Sequence, residues 1–401
     1  MKTKPHIYIV AAEKSGDELG AGMVRQLRKQ TDGQIKLSAI GGSALAAEGL
    51  ESAIDISPLS ILGFVEGLKS YPVIMERVGQ AVDAIMASGA DAVVLIDSWG
   101  FMARVAKRLK KQGFAGQIIK YVAPQVWAMR EGRSKILAGI VDHLLTIHSF
   151  DSPYFTKYGL NTLYVGNPVF DDDYNGGDGA GLRAEYNIGQ DEPVLVVLFG
   201  SRLSEIQRLA KPFADAVKIL KKSIPNLTIV SPVSDTIFED VLAAAAHYPD
   251  LQDVIYLKED RKLDCFSAAD AAIACSGTVT SQLAIAGVPT VVGYKLNALT
   301  FFIAMFLFKP SYISIVNIAA DQLLMPEFIQ TKCNGKNLAG IALDYFQNPQ
   351  KRSDTSNALK QVTKKMRRGN SGKGQKQGQK QGQGKENSSA RAAKAVLDIL
   401  G

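Results

Sequence analysis

Cysteine and histidine are scarce. Of 401 residues, three are cysteine (Cys265, Cys275, Cys333) and four are histidine. Neither set shows metal-ligand spacing, and no H-x-x-x-H arrangement occurs. A zinc enzyme is therefore not expected, and the odd cysteine count fits a reducing compartment rather than a disulfide framework. Long apolar runs are also missing. The most densely apolar uncharged one is Leu296–Phe308, 13 residues between Lys295 and Lys309, against the roughly 20 a spanning helix needs. Near the start, Ile7–Ala12 runs straight into Glu13, Lys14 and Asp17, which is not a secretory pattern. An excess of positive charge is absent from most of the chain. The net charge is +7, but residues 351–394 alone carry +11, which leaves −4 for the rest. The basicity belongs to the tail, so no nucleic-acid-binding core is indicated.

What is present is apolar material, 46% of residues, in a strand–helix alternation. Strands are expected at Ile7–Ala12, Ala92–Asp97, Ile118–Val122, Leu144–Ile147 and Leu163–Val165, with helices at Gly20–Gln30 and Ala103–Lys111. Such alternation predicts a doubly wound parallel α/β domain over residues 1–170. A turn-rich break follows at 171–192, read as a linker with a short helix. The alternation restarts in a second such domain over 193–348, from strand Val194–Phe199 to strand Thr290–Val292. Residues 349–368 read as a basic helix. Residues 369–389 hold the run KGQKQGQKQGQGK and no apolar side chain, a composition expected to be disordered. Residues 390–401 carry Ala392, Ala393, Val396, Leu397 and Leu400 at amphipathic helical spacing.

Several strand exits carry functional residue types. The first runs into AAEKSGDELGAG, residues 11–22, where the turn around Ser15 and Gly16 either presents backbone N–H groups to a ligand or is a plain turn capped by Ser15 or Asp17. Asp97 ends the strand of LIDSWGF (95–101). It suits a general base, or alternatively an N-cap. YVAPQVWAMR (121–130) offers Gln125, Trp127 and Arg130, with Trp99 the other tryptophan beyond a strand end; either indole suits sugar or acyl packing, or loop anchoring. Gly200, Ser201 and Arg202 form a strand-to-helix turn suited to a diphosphate, unless Arg202 merely pairs with Glu205. Ser276, Gly277, Thr278, Thr280 and Gln282 form a second such turn. Apolar patches occur at Leu59, Ile61, Leu62, Phe64, Val65 and Leu68, and at Phe301, Phe302 and on to Phe308. Each is read as core or as a membrane or acyl-chain contact.

Together the motifs resemble the lipid-A-disaccharide synthase family of glycosyltransferases. The carrying residues are AEKSGD (12–17), IGG (40–42), LGFVEGL (62–68), YVAPQVWAMR (121–130), VGNP (165–168), FGSRLSEI (199–206), SGTVTSQLAIAGVPTVVGYK (276–295) and MPEFIQ (325–330). The resemblance covers almost the whole chain. It implies a GT-B fold, two Rossmann-like domains facing a cleft, with the terminal helix crossing back onto the first. It implies transfer of 2,3-diacylglucosamine from its UDP derivative to 2,3-diacylglucosamine 1-phosphate, inverting and without a metal or other cofactor. Arg202, Ser276, Gly277, Thr278 and Thr280 would hold the diphosphate. Gln282 would lie near the ribose, and Asn317 falls among the substrate-binding positions. Glu13, Ser15, Asp17 and Asp97 would hold the acceptor and deprotonate its 6-hydroxyl. The resemblance also implies a peripheral protein on the cytoplasmic face of the inner membrane; homodimers fit the resemblance alone.

The chain departs from the family pattern in three places. Trp99 and Gly100 stand where many members have a second carboxylate, Gln282 stands where a Glu is common, and Phe199 and Asn167 vary the glycine-turn motifs. Two alternatives stay open: another UDP-sugar-using GT-B enzyme, or a non-catalytic binding homologue.

Overall fold

The computed structural model describes residues 4–57, 71–127, 132–297, 311–368 and 386–401. The chain divides into two compact units, Met1–Pro168 with Gly369–Gly401, and Val169–Arg368.

The first unit is built on a six-stranded sheet. Its strands are β1 His6–Ala11, β2 Lys36–Ile40, β3 Ala92–Ile96, β4 Gln117–Tyr121, β5 His143–Thr146 and β6 Asn161–Tyr164. They lie in the order β2-β1-β3-β4-β5-β6, every pair parallel. β1 and β3 have no exposed residue because both sheet faces are covered. Tyr8 and Val10 pack into the cluster under helices Tyr71–Ser88 and Trp99–Lys111, whereas Ile7, Ile9 and Ala11 pack toward helix Lys14–Gln30. This two-sided burial is why the strands read as continuous apolar runs.

Helix Ser388–Leu400 completes the second face. Asn387 caps it by accepting from the Ala390 N–H, and Ala392, Ala393 and Val396 sink into the cluster against helix Lys14–Gln30. Gln30 Nε2 donates to the Ala390 carbonyl at 2.9 Å. A Cβ at Gly22 would lie 2.8 Å from Ser389 Oγ, so the two helices approach closely there.

The second unit repeats the plan with β7 Val194–Leu198, β8 Thr228–Val233, β9 Ile255–Lys258, β10 Ala271–Cys275, β11 Thr290–Tyr294 and β12 Glu327–Ile329. The order is β12-β11-β10-β7-β8-β9, again all parallel. The stretch 171–192, expected as a linker, carries helix Gly179–Glu185 capped by Asp178. Arg183 ties that helix to the carbonyls of Gly189, Glu192 and Ala268.

The structure differs from the sequence reading in particular elements. The helix after β1 starts at Lys14 rather than Gly20. Gly20 does not break it because it lies against Ile9, Leu45 and Ile96, each 3.3 Å from a would-be Cβ. The edge strands β2 and β12 and the helices Tyr71–Ser88 and Gly132–Ile140 are additional elements.

Candidate functional site

In open parallel sheets, ligands collect beyond the strand C-termini where the strand order reverses. In the first unit that reversal lies between β1 and β3. The exit of β1 carries Glu13 and Ser15, both exposed, and the exit of β3 carries Asp97. Ser15 Oγ lies 3.5 Å from Asp97 Oδ2, so the two expected segments meet.

The β3 exit is strained. Asp97 (φ 50°) and Ser98 (φ 35°) are consecutive left-handed residues, and Val122 at the β4 exit has φ 71°. Such conformations cost roughly 1–3 kcal/mol each and persist only where the surroundings enforce them. The enforcing groups are backbone partners on neighbouring strands and one buried lysine. Asp97 N–H donates to the Tyr121 carbonyl at 2.9 Å, and Val122 N–H to the Leu145 carbonyl at 2.9 Å. Lys120 Nζ donates to the Asp97 carbonyl at 2.7 Å and the Tyr121 carbonyl at 2.9 Å. Lys120 is buried. Burial pulls its ammonium down to about 7, while the Asp97 and Glu13 carboxylates push the other way. The sequence reading missed Lys120; its signal is a charge inside the apolar strand Q-I-I-K-Y.

Asp17 does a different job from its neighbours. It is buried, and its carboxylate accepts from the N–H groups of Gly42 (2.7 Å), Ala44 (2.7 Å) and Leu45 (3.4 Å). It therefore caps helix Ser43–Ala47 from outside. A Cβ at Gly42 would sit 2.9 Å from Asp17 Oδ2, which gives I-G-G its physical reason. Gly16 is buried against the strand exits, and a Cβ there would make only ordinary contacts with Ile96 and Ala11. The open carboxylates here are Glu13 and Asp97.

Further along, Gln125 is exposed, but Trp127 is only 7% exposed. Its ring meets Phe150 edge-on at 5.5 Å, so it anchors the loop instead of offering a stacking face. Trp99 is half-buried and lies under the Arg133 guanidinium at 5.2 Å. Asp151 is buried nearby; burial pushes its carboxyl up to about 8, partly opposed by the Trp127 indole and the His148 backbone N–H. His148, stacked on Phe150, is pulled down to about 4 by burial.

In the second unit the order reverses between β7 and β10. Both expected anion turns sit there, at the starts of helices Leu203–Ser223 and Thr278–Ala286. Gly200 has φ 108°, and a Cβ would meet Glu205 Cβ at 2.9 Å, so the turn needs glycine. Glu205 accepts from Ser201 N–H at 2.9 Å and from Arg202 Nη1 at 3.3 Å. Arg202 pairs with Glu205, and its side chain is 76% exposed. Ser276, Gly277 and Thr278 are accessible at the other turn.

Two expected binding residues are engaged within the protein instead. Thr280 is buried and its hydroxyl donates to the Gly277 carbonyl at 2.7 Å. Asn317 is fully buried; its amide donates to Met325 O and Glu327 Oε1 and accepts from Leu324 and Met325 N–H. Glu327 also accepts from Ile313 and Ser314 N–H at 2.7 Å, so M-P-E-F-I-Q is a folding signal for this loop. Gln282 is half-buried and donates to Tyr174 Oη at 3.3 Å, a partner the sequence reading did not name.

Arg130, the patch Leu59, Ile61, Leu62, Phe64, Val65 and Leu68, and Phe301, Phe302 through Phe308 lie outside the described residues, as does most of 369–389. Among the described residues, no cluster of three His, Cys, Asp or Glu side chains is able to hold a metal, and no helix is long and apolar enough to cross a membrane.

Residues 7–380 match the family model described as lipid-A-disaccharide synthetase. The chain belongs to the lipid-A-disaccharide synthase family. It is thus a glycosyltransferase of lipid A biosynthesis. Relatives include the lipid-A-disaccharide synthases of Paramagnetospirillum magneticum, 36% identical over 98% of this chain and 97% of that one, and of Rickettsia typhi, 35% identical over 90% and 94%. Among solved structures, a glycosyltransferase from Rickettsia africae matches with TM-score 0.58 over 99% of this chain and 98% of that one, at 11% identity. The UDP-GlcNAc 2-epimerase of Neisseria meningitidis, bound to UDP-GlcNAc, matches with TM-score 0.58 over 90% and 97%, at 11% identity. These likenesses fix the fold as GT-B type.

Proposed function

We propose that the chain joins UDP-2,3-diacylglucosamine to 2,3-diacylglucosamine 1-phosphate, giving the β-1,6-linked disaccharide 1-phosphate and UDP. The observation that carries this is the chemical split between the two reversal points. One presents open carboxylates, Glu13 and Asp97, and the other presents Arg202 and the accessible N-terminal turns Gly200–Arg202 and Ser276–Thr278.

In this reading the Asp97 carboxylate takes the proton from the acceptor 6-hydroxyl. The resulting oxygen attacks the anomeric carbon from the face opposite UDP. The bond from that carbon to the diphosphate oxygen breaks, so the centre inverts. Arg202 and the backbone N–H groups at Ser276–Thr278 stabilise the negative charge that collects on the departing diphosphate. Family membership and the open guanidinium support these roles. The acyl chains of both substrates suit a peripheral position on the cytoplasmic face of the inner membrane, and the apolar composition of 59–68 and of 301–308 suits contact with lipid.

The test is direct. Purified protein is incubated with both substrates in detergent with EDTA, the disaccharide phosphate is sought by mass, and its anomeric linkage is read by NMR. Product with inverted configuration supports the reading. UDP binding without product overturns it and favours a changed acceptor or a binding protein.

A further inference from the structure

The lysine in β4 has no place in the chemistry just described, yet it touches both strained strand exits. A buried ammonium is costly, and proteins keep one where it satisfies specific groups. Here the groups are two carbonyls. One belongs to Asp97, the first left-handed residue after β3; the other belongs to Tyr121, directly before left-handed Val122. The Tyr121 carbonyl also accepts the Asp97 N–H, so Lys120, Asp97 and Tyr121 form a closed hydrogen-bonded loop across two neighbouring strands. The geometry locks the backbone of Asp97 from both sides, through its N–H and its C=O. A carboxylate carried on that backbone inherits the same fixed aim, toward Ser15 at the start of the first helix.

We infer that Lys120 is a positioning residue for Asp97: its ammonium clamps the left-handed turn at the β3 exit and so holds the Asp97 carboxylate in its working orientation. The effect passes through backbone carbonyls; Lys120 does not itself exchange a proton with substrate. Its role in rate rests on the transfer reaction proposed above, whereas its hold on the turn does not. Without the clamp, the left-handed pair at Asp97–Ser98 has lost a restraint and samples the ordinary backbone regions. Misplacing a reacting group by about 1 Å costs on the order of a hundredfold in rate.

The experiment uses the full chain carrying Lys120→Met, which keeps the length of the apolar stem and removes the donors. Melting and UDP affinity verify that it folds. Amide hydrogen exchange at Asp97 and Val122 is measured first, because it needs no activity. Exchange at both sites faster by about tenfold or more is expected, local opening being the event released; unchanged exchange overturns the clamp whatever the reaction proves to be. Turnover is measured next. A fall in kcat of roughly ten- to a hundredfold is expected, with KM for both substrates little changed. Lys120→Met is then added to Asp97→Asn. Little further loss is expected, since the two act as one unit. An equal loss in both backgrounds overturns the positioning role and leaves Lys120 a structural residue. If the wild-type protein forms no disaccharide, the proposed function fails, and the exchange measurement alone decides the clamp.

Discussion

The two units are both six-stranded parallel sheets with one reversal of strand order, but they build those reversal points from opposite materials. In the second unit the turn after β7 gets its left-handed residue from Gly200, and the turn after β10 is extended at Gly277 and needs no left-handed residue. Backbone freedom there needs no outside support, and the ligand-facing groups are N–H donors, hydroxyls and Arg202. At the β3 and β4 exits of the first unit the left-handed positions are Asp97, Ser98 and Val122, all with a Cβ. They require hydrogen bonds from neighbouring strands to hold them. The lesson is that a cradle for a diphosphate tolerates a permissive turn, because many N–H groups share the charge. A single carboxylate acting on one hydroxyl needs an imposed orientation, and strain is the cost of side chains at those positions.

This contrast breaks most sharply at Asp97. Asp97→Asn keeps the turn and removes the base; kcat is expected to fall roughly 10²–10⁴-fold while UDP affinity stays unchanged. Activity near wild type would move the base elsewhere, with Glu13 the remaining open carboxylate at that reversal point. The mirror experiment is Arg202→Ala. Loss of a charge-assisted bond of about 1.5–3 kcal/mol should weaken UDP binding by calorimetry ten- to a hundredfold, with no change in acceptor KM. UDP affinity insensitive to this change would reassign Arg202 to its Glu205 pair alone.

The units also differ in what burial does to their titratable groups. In the second, burial raises tyrosines and cysteines such as Tyr174 and Cys265, which are neutral near pH 7 in any case. In the first it holds a proton on Asp151, whose carboxyl is pushed up to about 8. The folded protein then binds a proton that the unfolded chain has released, so stability from this group is full below about pH 4 and is lost as pH rises through about 8. His148, pulled down to about 4, runs the other way between about pH 4 and 6.5. The window from about pH 6.5 to 8 is therefore free of His148, but above about pH 7 the buried Lys120, pulled down to about 7, runs against Asp151, so the Asp151 contribution is read as the difference between wild type and variant. Asp151→Asn should change the stability difference between pH 6.5 and 8 by about 2 kcal/mol in denaturant unfolding. A slope unchanged by the substitution would mean that Asp151 is ionised in the fold.

The smallest effects test the turns themselves. Gly200→Ala puts a Cβ at φ 108° against Glu205 and should cost about 1–2 kcal/mol of stability. Ser98→Gly relieves a strained residue and should gain up to about 1 kcal/mol, offset by the larger unfolded-state freedom of glycine. If both substitutions destabilise equally, the contrast between permissive and enforced turns is wrong.

Central strands were legible in the sequence because both their faces are covered, as in V-L-V-V-L of β7. The edge strand Lys36–Ile40 was not, since only Ala39 and Ile40 are buried and the pattern is correspondingly weak. β12 spans three residues, too few for any periodicity. At the site, positions were easier to read than duties. Asp97 and Arg202 stand at strand exits, which sequence order reveals. Whether a polar side chain faces a ligand or another part of the backbone depends on distant partners. Asp17 is taken by Gly42–Leu45, and Asn317 by Leu324–Glu327. Lys120 was visible as an odd charge in a strand, but its two carbonyls come from the lateral pairing of β3 and β4.

The helix Ser388–Leu400 seals the first unit but follows the whole second unit in the chain. During synthesis, at about 5–20 residues per second, the first sheet therefore waits roughly 10–40 s with the groove beside helix Lys14–Gln30 uncovered. Over that interval the first unit is an unfinished domain with apolar surface exposed. A message cut short after the second unit would yield a protein that keeps its Arg202 turn but never closes the unit carrying Asp97.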